Sequence, residues 1–280
     1  MGQMPQGMGL ALSRPLGWLA YSLAGRRRQI AARNIERCFP ELVPAERQCL
    51  LKDHFRCLAR MLFETAWVWT APEKRLDGWG SCEGAQYVAR AREGGRGVLL
   101  LAAHSTSPEL GGWYPGRAVG KPWVVYRSLR NPVIEWFSNR CRERLISGAL
   151  SNKGVFRHMV EHLRSGGILW YAPDQDFGPE RSAFAPFFGI PAATLKAIVH
   201  VVEQSGCKVV FLFTAFDEEK RKYVAQYHPP LQDFPSGDLV SDLSRYNAAV
   251  EEHVRRWPAQ YWWIHRRFKT RPEGEPPFYD

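Results

Sequence analysis

The chain has 280 residues, of which 45% are hydrophobic, and its 38 Lys and Arg residues outnumber 28 Asp and Glu residues to give a formal charge of +10. This composition excludes intrinsic disorder, collagen and a disulfide-stapled miniprotein, and the length allows a substantial core. The positive charge predicts an anionic partner, whether nucleic acid, an anionic bilayer surface or a phosphorylated substrate. The six cysteines show neither a CxxC pair nor the Cys/His spacing of a zinc site, so we expect reduced thiols in a cytosolic chain and no bound metal.

The first 30 residues have the layout of an interfacial membrane anchor. Residues 8–25 are mostly apolar, but Arg14 and Pro15 split them, and the sequence has no stretch of about 20 uncharged apolar residues that would span a bilayer. A basic cluster at residues 26–28 follows directly, as in segments that lie at the cytoplasmic face of a membrane. We therefore expect residues 1–30 to form a membrane-associating segment, with a short helix packed on the domain as an equal alternative.

Residues 31–280 are predicted to form one α/β domain, since no Ser/Gly-rich or single-sign linker divides them. Apolar residues recur at steps of three and four through residues 44–70, which predicts a long amphipathic helix. Further strands are expected at residues 97–103, 123–126, 168–172 and 208–216, and further helices at residues 132–147, 155–165, 192–205 and 239–257. This alternation favours a mixed β-sheet covered by helices, with the chemistry at the carboxyl ends of strands.

His104 is the strongest candidate for a catalytic base. It follows the most hydrophobic predicted strand, and Glu109, five residues later, is expected to turn back and hold its second ring nitrogen. The same spacing occurs at His228 and Asp233, in a proline-rich loop that follows no comparable strand. We therefore favour His104 and Glu109 as the catalytic pair, against the alternative of a His and a Glu that cap a helix.

Two more polar clusters leave predicted strands. Asp174 and Asp176 are candidates for substrate binding, by orienting a basic side chain or holding a divalent metal, and an ordinary turn is the alternative. Arg127 and Arg130 are also candidates, because the planar guanidinium of Arg suits phosphate or carboxylate recognition. Like His104, these four residues follow the carboxyl ends of predicted strands.

Two aromatic segments lie in the second half of the chain. Residues 184–194 carry too few charges for a solvated surface and are either core or the wall of an apolar ligand pocket. Residues 261–271 alternate aromatic rings with cations, which suits base stacking or a membrane headgroup boundary. No RNA-binding module accompanies them, so a membrane or phospholipid partner is favoured over nucleic acid.

Taken in order, these segments resemble the lipid A biosynthesis acyltransferases, the late lauroyl/myristoyl transferase family of Gram-negative bacteria. The resemblance covers nearly the whole chain after Arg26. Its blocks are residues 33–41, 104–109, 125–127 with 131–132, 172–178, 184–194 and 258–269 (PAQYWWIHRRFK). Residues 174–178, 265–269 and 271–274 look most like the branch that acylates lipid A precursors.

The resemblance implies transfer of an acyl chain from acyl carrier protein to a hydroxyl of a lipid A precursor of the Kdo-lipid IVA type, at the cytoplasmic face of the inner membrane. The implied fold is similar to that of the glycerol-3-phosphate acyltransferases. His104 would take the proton of the acceptor hydroxyl while Glu109 fixes its tautomer. Arg127 would donate to the oxyanion or clamp a phosphate, and Asp174 and Asp176 would order the site, for example by pairing with Arg127. No metal or organic cofactor is required, because a thioester is already activated.

Two other classes of function stay open. A sister acyltransferase would use another glycolipid, such as a phosphatidylinositol mannoside, and a non-catalytic basic protein would bind membrane or RNA. The net charge fits the main interpretation, since acyl carrier protein is generally acidic and lipid A precursors carry phosphates. In that interpretation the aromatic residues 184–188 are expected to line a groove for the acyl chain.

Overall fold

The computed structural model describes residues 2–126, 128–151 and 154–279. The helices are α1 (Gln6–Leu23), α2 (Gly25–Cys38), α3 (Pro44–Thr70), α4 (Glu73–Asp77), α5 (Ala85–Ala91), α6 (Pro108–Val119), α7 (Pro132–Arg142), α8 (Val155–Arg164), α9 (Ala197–Ser205) and α10 (Leu239–Arg256). The strands are β1 (Gly80–Glu83), β2 (Val98–Leu101), β3 (Trp123–Tyr126), β4 (Gly148–Ser151), β5 (Ile168–Tyr171), β6 (Ser182–Phe187), β7 (Ile190–Leu195), β8 (Lys208–Asp217) and β9 (Lys222–Tyr227). Arg127 lies outside the described residues.

Seven of these strands form one sheet in the order β1-β9-β8-β2-β5-β3-β4. All neighbours in it are parallel except β8 and β9, which are antiparallel, so the predicted mixed sheet covered by helices is confirmed. The central strand β2 is buried on both faces. Its Leu99 and Leu101 pack into one apolar core, and Val98 and Leu100 into another on the opposite side. Burial of both faces explains why this strand is a continuous apolar run without polar alternation.

The segment expected to line a groove is instead a β-hairpin in the core. Strands β6 and β7 pair in antiparallel register, and the turn between them has positive φ at Phe188 (52°) and Gly189 (71°). Two consecutive positive φ angles suit the twist of a tight hairpin. Phe187 is buried against Tyr261 and Phe268, so the aromatic residues fill the interior and the acyl-groove expectation for residues 184–188 is wrong. The helix expected from residue 192 accordingly begins only at Ala197.

The aromatic and basic C-terminal segment is partly buried. The Arg267 guanidinium donates to the carbonyl of Ala193 (2.6 Å) and the hydroxyl of Thr194 (3.0 Å). The Asn34 amide donates to the carbonyls of Trp263 (2.7 Å) and His265 (2.9 Å), which ties the segment to α2. Four side chains of this segment are therefore interior and do not form a base-stacking or headgroup surface: Tyr261, Trp263, Arg267 and Phe268. For the partly exposed remainder of residues 261–271, a headgroup contact stays a prediction.

The N-terminal helix α1 packs along α3 and is continuous through Pro15. Glycines make the close approach possible, since a Cβ at Gly17 would lie 2.6 Å from the Cα of Arg56. The large apolar residues of α1 that remain exposed are Met8, Leu12, Leu16, Trp18, Leu19 and Leu23. Within the described residues, no helix is both long and apolar enough to cross a bilayer.

Candidate active site

A cavity of about 680 Å³ begins at the carboxyl edge of the sheet and continues along one of its faces. Its polar lining includes His104, Glu109 and Arg142. The apolar lining comes from strands β3, β4, β5 and β8 and from the residues that follow α7; it includes Val124, Leu145, Ile146, Ala149, Trp170 and Leu212. The volume and the mostly apolar walls suit an organic ligand with a long apolar part.

His104 and Asp174 meet because β2 and β5 are parallel neighbours. Leu101 pairs with Tyr171 at the ends of these strands, and His104 and Asp174 each follow three residues later. The His104 ring donates from Nδ1 to Asp174 Oδ1 at 2.5 Å, and its backbone N–H donates to both carboxylate oxygens at 3.1 Å. Nε2 has no hydrogen-bond partner among the described residues, and the side chain is 38% exposed beside the cavity.

The loop after His104 is held by the C-terminal segment. Ser105 forms an isolated β-bridge with Tyr261, and the Thr106 N–H donates to the Gln260 carbonyl at 2.9 Å. On the β2 side, the Tyr246 hydroxyl donates to the Ala102 carbonyl at 2.8 Å. These contacts fix the backbone on both sides of the imidazole, which limits the positions that Nε2 can take.

The two members of this pair shift each other's pKa. Burial lowers the pKa of His104, but the charge of Asp174 and the hydrogen bond to it outweigh burial, and the pKa ends above its usual value. Burial raises the pKa of Asp174, but His104, with a smaller contribution from Arg267, outweighs burial and the pKa ends below its usual value. Both shifts favour an imidazolium beside a carboxylate, which is the state that a base reaches after it accepts a proton.

The expected pairing of Glu109 with His104 is wrong. Glu109 lies in the first turn of α6, where its Oε1 accepts from Nε (3.0 Å) and Nη2 (2.8 Å) of Arg142. Asp174 occupies the Nδ1 side of the ring because it reaches the imidazole directly from the neighbouring strand. Glu109 therefore stays in the cavity wall and holds a cation there.

Arg142 was missed by the sequence analysis. It ends an amphipathic helix, and a cation in the last turn of a helix is common for reasons of helix stability alone. Arg130, one of the predicted arginines, is exposed and does not line the cavity. Arg127 lies outside the described residues, so its predicted contacts with Asp174 or with substrate stay predictions.

Asp176 has a different role from Asp174. Its carboxylate accepts from the Gly178 N–H (2.9 Å), the Thr270 N–H (2.7 Å) and the Thr270 hydroxyl (2.8 Å), and it does not line the cavity. These three donors satisfy the carboxylate. The expectation that Asp176 binds substrate is therefore wrong, and the residue instead anchors the C-terminal segment. Among the described residues, no three His, Cys, Asp or Glu side chains are grouped to hold a metal ion.

The alternative pair, His228 and Asp233, does not form. No hydrogen bond joins these two described residues, and neither lines the cavity. His228 instead packs its ring against Phe213, and burial lowers its pKa.

A carboxylate-held histidine lies beside a ligand-sized, mostly apolar cavity at the edge of an α/β sheet, an arrangement found in many enzyme active sites. The chain belongs to the bacterial lipid A biosynthesis acyltransferase family, whose profile matches residues 1–270.

Curated relatives agree with this family. The palmitoleoyltransferase and the lauroyltransferase of lipid A biosynthesis from Escherichia coli are each 34% identical over 279 residues, which is 99% of this chain and 90% of theirs. The lipid A myristoyltransferase of the same organism is 28% identical over 95% of this chain and 85% of its own. Among solved structures, the 1-acyl-sn-glycerophosphate acyltransferase PlsC from Thermotoga maritima has a TM-score of 0.43 and 13% identity, over 92% of this chain and 99% of that one.

Proposed function

We propose that this acyltransferase moves a fatty acyl chain from acyl carrier protein to a hydroxyl of a lipid A precursor of the Kdo-lipid IVA type, with His104 as the general base. The observation that carries the proposal is the 2.5 Å bond between His104 Nδ1 and Asp174 Oδ1 beside an apolar cavity. A base held in this way presents the lone pair of Nε2 to a substrate.

The reaction follows from this geometry. The acceptor hydroxyl gives its proton to Nε2 of His104 as its oxygen attacks the thioester carbonyl carbon. Asp174 fixes the ring tautomer and stabilises the imidazolium, which is the role of the carboxylate in a Ser-His-Asp triad, here without an enzyme nucleophile. When the tetrahedral intermediate collapses, the C–S bond breaks and the imidazolium proton passes to the departing sulfur. No metal or organic cofactor takes part.

The oxyanion is stabilised by groups beside His104. Helix α6 begins at Pro108, and the N–H groups of a first helical turn have no partner within the helix. Arg142, held by Glu109 in the cavity wall, is the other donor near the reacting carbonyl. A preorganised donor of this kind contributes about 3 kcal/mol to transition-state stabilisation.

The cavity holds the acyl chain in this proposal. Its apolar walls, formed by the sheet and the residues that follow α7, exclude water from the acyl group. Each methylene that fits or fails to fit changes the discrimination between acyl groups of different length by about 1 to 3 kcal/mol. The net charge of +10 attracts an acidic carrier protein and a phosphorylated acceptor.

The cytoplasmic face of the inner membrane is the proposed location, with peripheral or monotopic attachment. Helices α1 and α7 both pack against α3, and both expose large apolar side chains. Those of α7 include Val133, Ile134 and Trp136, and nearby Leu129 is exposed and lines the cavity. Apolar surface beside the cavity lets a lipid substrate enter from the bilayer.

Incubation of the 280-residue protein with radiolabelled acyl carrier protein thioester and separate glycolipid acceptors tests the proposal. We expect a labelled product with the Kdo-lipid IVA acceptor, none with a phosphatidylinositol mannoside, and at least about a hundredfold slower formation when His104→Ala replaces the wild type. Transfer to the mannoside alone would favour the sister activity. Transfer to no acceptor, by a protein that binds vesicles normally, would contradict the proposed function.

A further inference from the structure

A second cavity, of about 400 Å³, lies between α1, α3 and the turn that joins β8 to β9. Among the described residues, four arginines line it, Arg14, Arg56, Arg60 and Arg221, and Glu218 is the one acidic residue in its lining. Behind the wall, Asp53 pairs with Arg56 and Glu64 pairs with Arg60. With these two acids and Glu218 set against the four arginines, the cluster has a formal charge of +1. A cavity with this charge suits an anion.

Arg60 makes this a built site. Its side chain is only 2% exposed and lies over the Phe216 ring, with Cζ 4.4 Å from the ring centroid. Nε donates to Glu64 at 2.9 Å and Nη1 donates to Glu218 at 2.7 Å, whereas the buried Nη2 has no hydrogen-bond partner among the described residues. A buried guanidinium N–H without a partner is costly, so a small movement of this wall that brings an acceptor to Nη2 would be stabilising.

Two of the other arginines leave donors for the same ligand, whereas Nη2 of Arg56 already lies 3.4 Å from Glu218 and 3.5 Å from Asp53. Arg14 and Arg221 are exposed, and the part of the chain that the structure describes holds no hydrogen-bond or ion-pair partner for either. Forked guanidinium groups that converge on one cavity match the oxygens of a phosphate.

The position of the cavity on α1 indicates where such a phosphate comes from. Gly7, Ala11 and Arg14 follow each other at steps of four and three along one edge of α1. This edge separates the face packed on α3, which includes Gly9, Ser13 and Gly17, from the exposed apolar stripe of Met8, Leu12, Leu16, Leu19 and Leu23. When the apolar stripe lies in a bilayer interface, the cavity is at headgroup level.

We propose that this arginine cavity binds the phosphate group of a membrane lipid, supplied either by a bulk phospholipid or by the glycolipid acceptor. The site is separate from His104 and its cavity, so headgroup binding goes beyond the proposed function. Only the possibility that the glycolipid acceptor supplies the phosphate rests on the proposed function.

Binding of the 280-residue protein to vesicles tests whether a bulk phospholipid supplies the phosphate. Phosphatidylcholine vesicles are made equally anionic with phosphatidic acid or with oleate, which has a carboxylate in place of the phosphate. The variants are Arg14→Gln and Arg221→Asn, the latter at a turn position with φ of 54° that suits Asn, so that both are expected to fold. Arg26→Gln, an exposed arginine outside the cavity, is the matched control for charge.

We expect each cavity variant to weaken binding to phosphatidic acid vesicles about tenfold, the loss of one charge-assisted hydrogen bond, and to leave oleate vesicles at the level of the control. Inorganic phosphate should compete with the phosphatidic acid vesicles for the wild type, and more weakly for each cavity variant. His104→Ala should bind as the wild type does, which separates a failure of catalysis from a failure of this site.

Steady-state kinetics of acyl transfer to a phosphorylated acceptor test whether the acceptor supplies the phosphate. If vesicle binding is unchanged but the cavity variants raise KM for the acceptor about tenfold at constant kcat, the acceptor supplies the phosphate and the proposal stands. If the cavity variants match Arg26→Gln on both vesicle types and in KM, the arginines serve only to pack α1 and the proposal is overturned.

Discussion

Asp174 sets the protonation state of His104, and this coupling makes the pH dependence of the reaction informative. A general base must be neutral, and the pKa of His104 is raised by Asp174. The rate should therefore rise with pH through a pKa above the usual value for His. In Asp174→Asn the raising charge is gone and burial still lowers the pKa of His104, so the rising limb should move to lower pH.

The maximal rate of Asp174→Asn should also fall, by roughly a hundredfold or more, because the ring tautomer is no longer fixed. The measurement is kcat/KM against pH. Glu109→Gln is the control, since Glu109 contacts Arg142 and not His104, and it should lower the rate without moving the limb. A limb that moves in Glu109→Gln and not in Asp174→Asn would return Glu109 to the role that the sequence analysis assigned to it.

Asp176 is two residues from Asp174 but anchors the chain. Loss of its bonds to Gly178 and Thr270 in Asp176→Ala should lower the free energy of unfolding by about 3 kcal/mol and leave kcat within about twofold. Denaturant titration measures the free energy of unfolding, and a transfer assay measures kcat. A large loss of kcat at unchanged stability would place Asp176 in the catalytic site after all.

The sequence predicted which residues lie at the site better than it predicted which of them contact each other. His104 and Asp174 could be predicted as site residues because each is a polar residue that follows an apolar run. His104 lines the cavity, and Asp174 holds the His104 ring. Their contact was not visible, because it depends on β2 and β5 being parallel neighbours, and the two residues are 70 positions apart in the sequence. Arg142 carried no distinctive signal at all.

Elements with strong periodicity were predicted well. Helix α3 and strand β3 have the bounds that their patterns predicted, and β2, β5 and β8 agree within a few residues. The β6–β7 hairpin was missed because Pro186 and Pro191 argue against strands and because Phe188 is an unusual residue at positive φ. Packing of Phe188 against Phe39 and Trp263 stabilises this turn, and such long-range contacts have no local signature.

The contact of α1 with α3 depends on small residues. A Cβ at Gly17 would lie 2.6 Å from backbone Cα of Arg56, whereas a Cβ at Gly25 would have no neighbour within 4 Å. Gly17→Ala should therefore destabilise the protein by about 1 to 3 kcal/mol, and Gly25→Ala should not, although both raise helix propensity. Thermal unfolding of both variants provides the comparison. Equal midpoints would show that α1 is not packed as described.

The whole molecule combines a positive charge with an exposed apolar helix, and the two contribute differently to membrane binding. Leu19 on α1 is 45% exposed and Val240 on α10 is 47% exposed, so the two sites are matched for substitution. Leu19→Glu should weaken vesicle binding about tenfold, because it places a charge in the apolar stripe, and Val240→Glu should have little effect. Sedimentation with vesicles at high salt isolates this apolar part, since salt screens the electrostatic attraction. Equal losses in both variants would contradict binding through α1.

The most direct test of the account is acyl transfer by His104→Ala beside His228→Ala under single-turnover conditions. His104 lies at the cavity with Asp174 on its Nδ1, and His228 is a histidine with the same sequence spacing to an acid but a place outside the cavity. We predict that His104→Ala folds and loses at least about a hundredfold in rate, while His228→Ala keeps nearly the wild-type rate. Full transfer activity in His104→Ala would contradict the assignment of this histidine as the base.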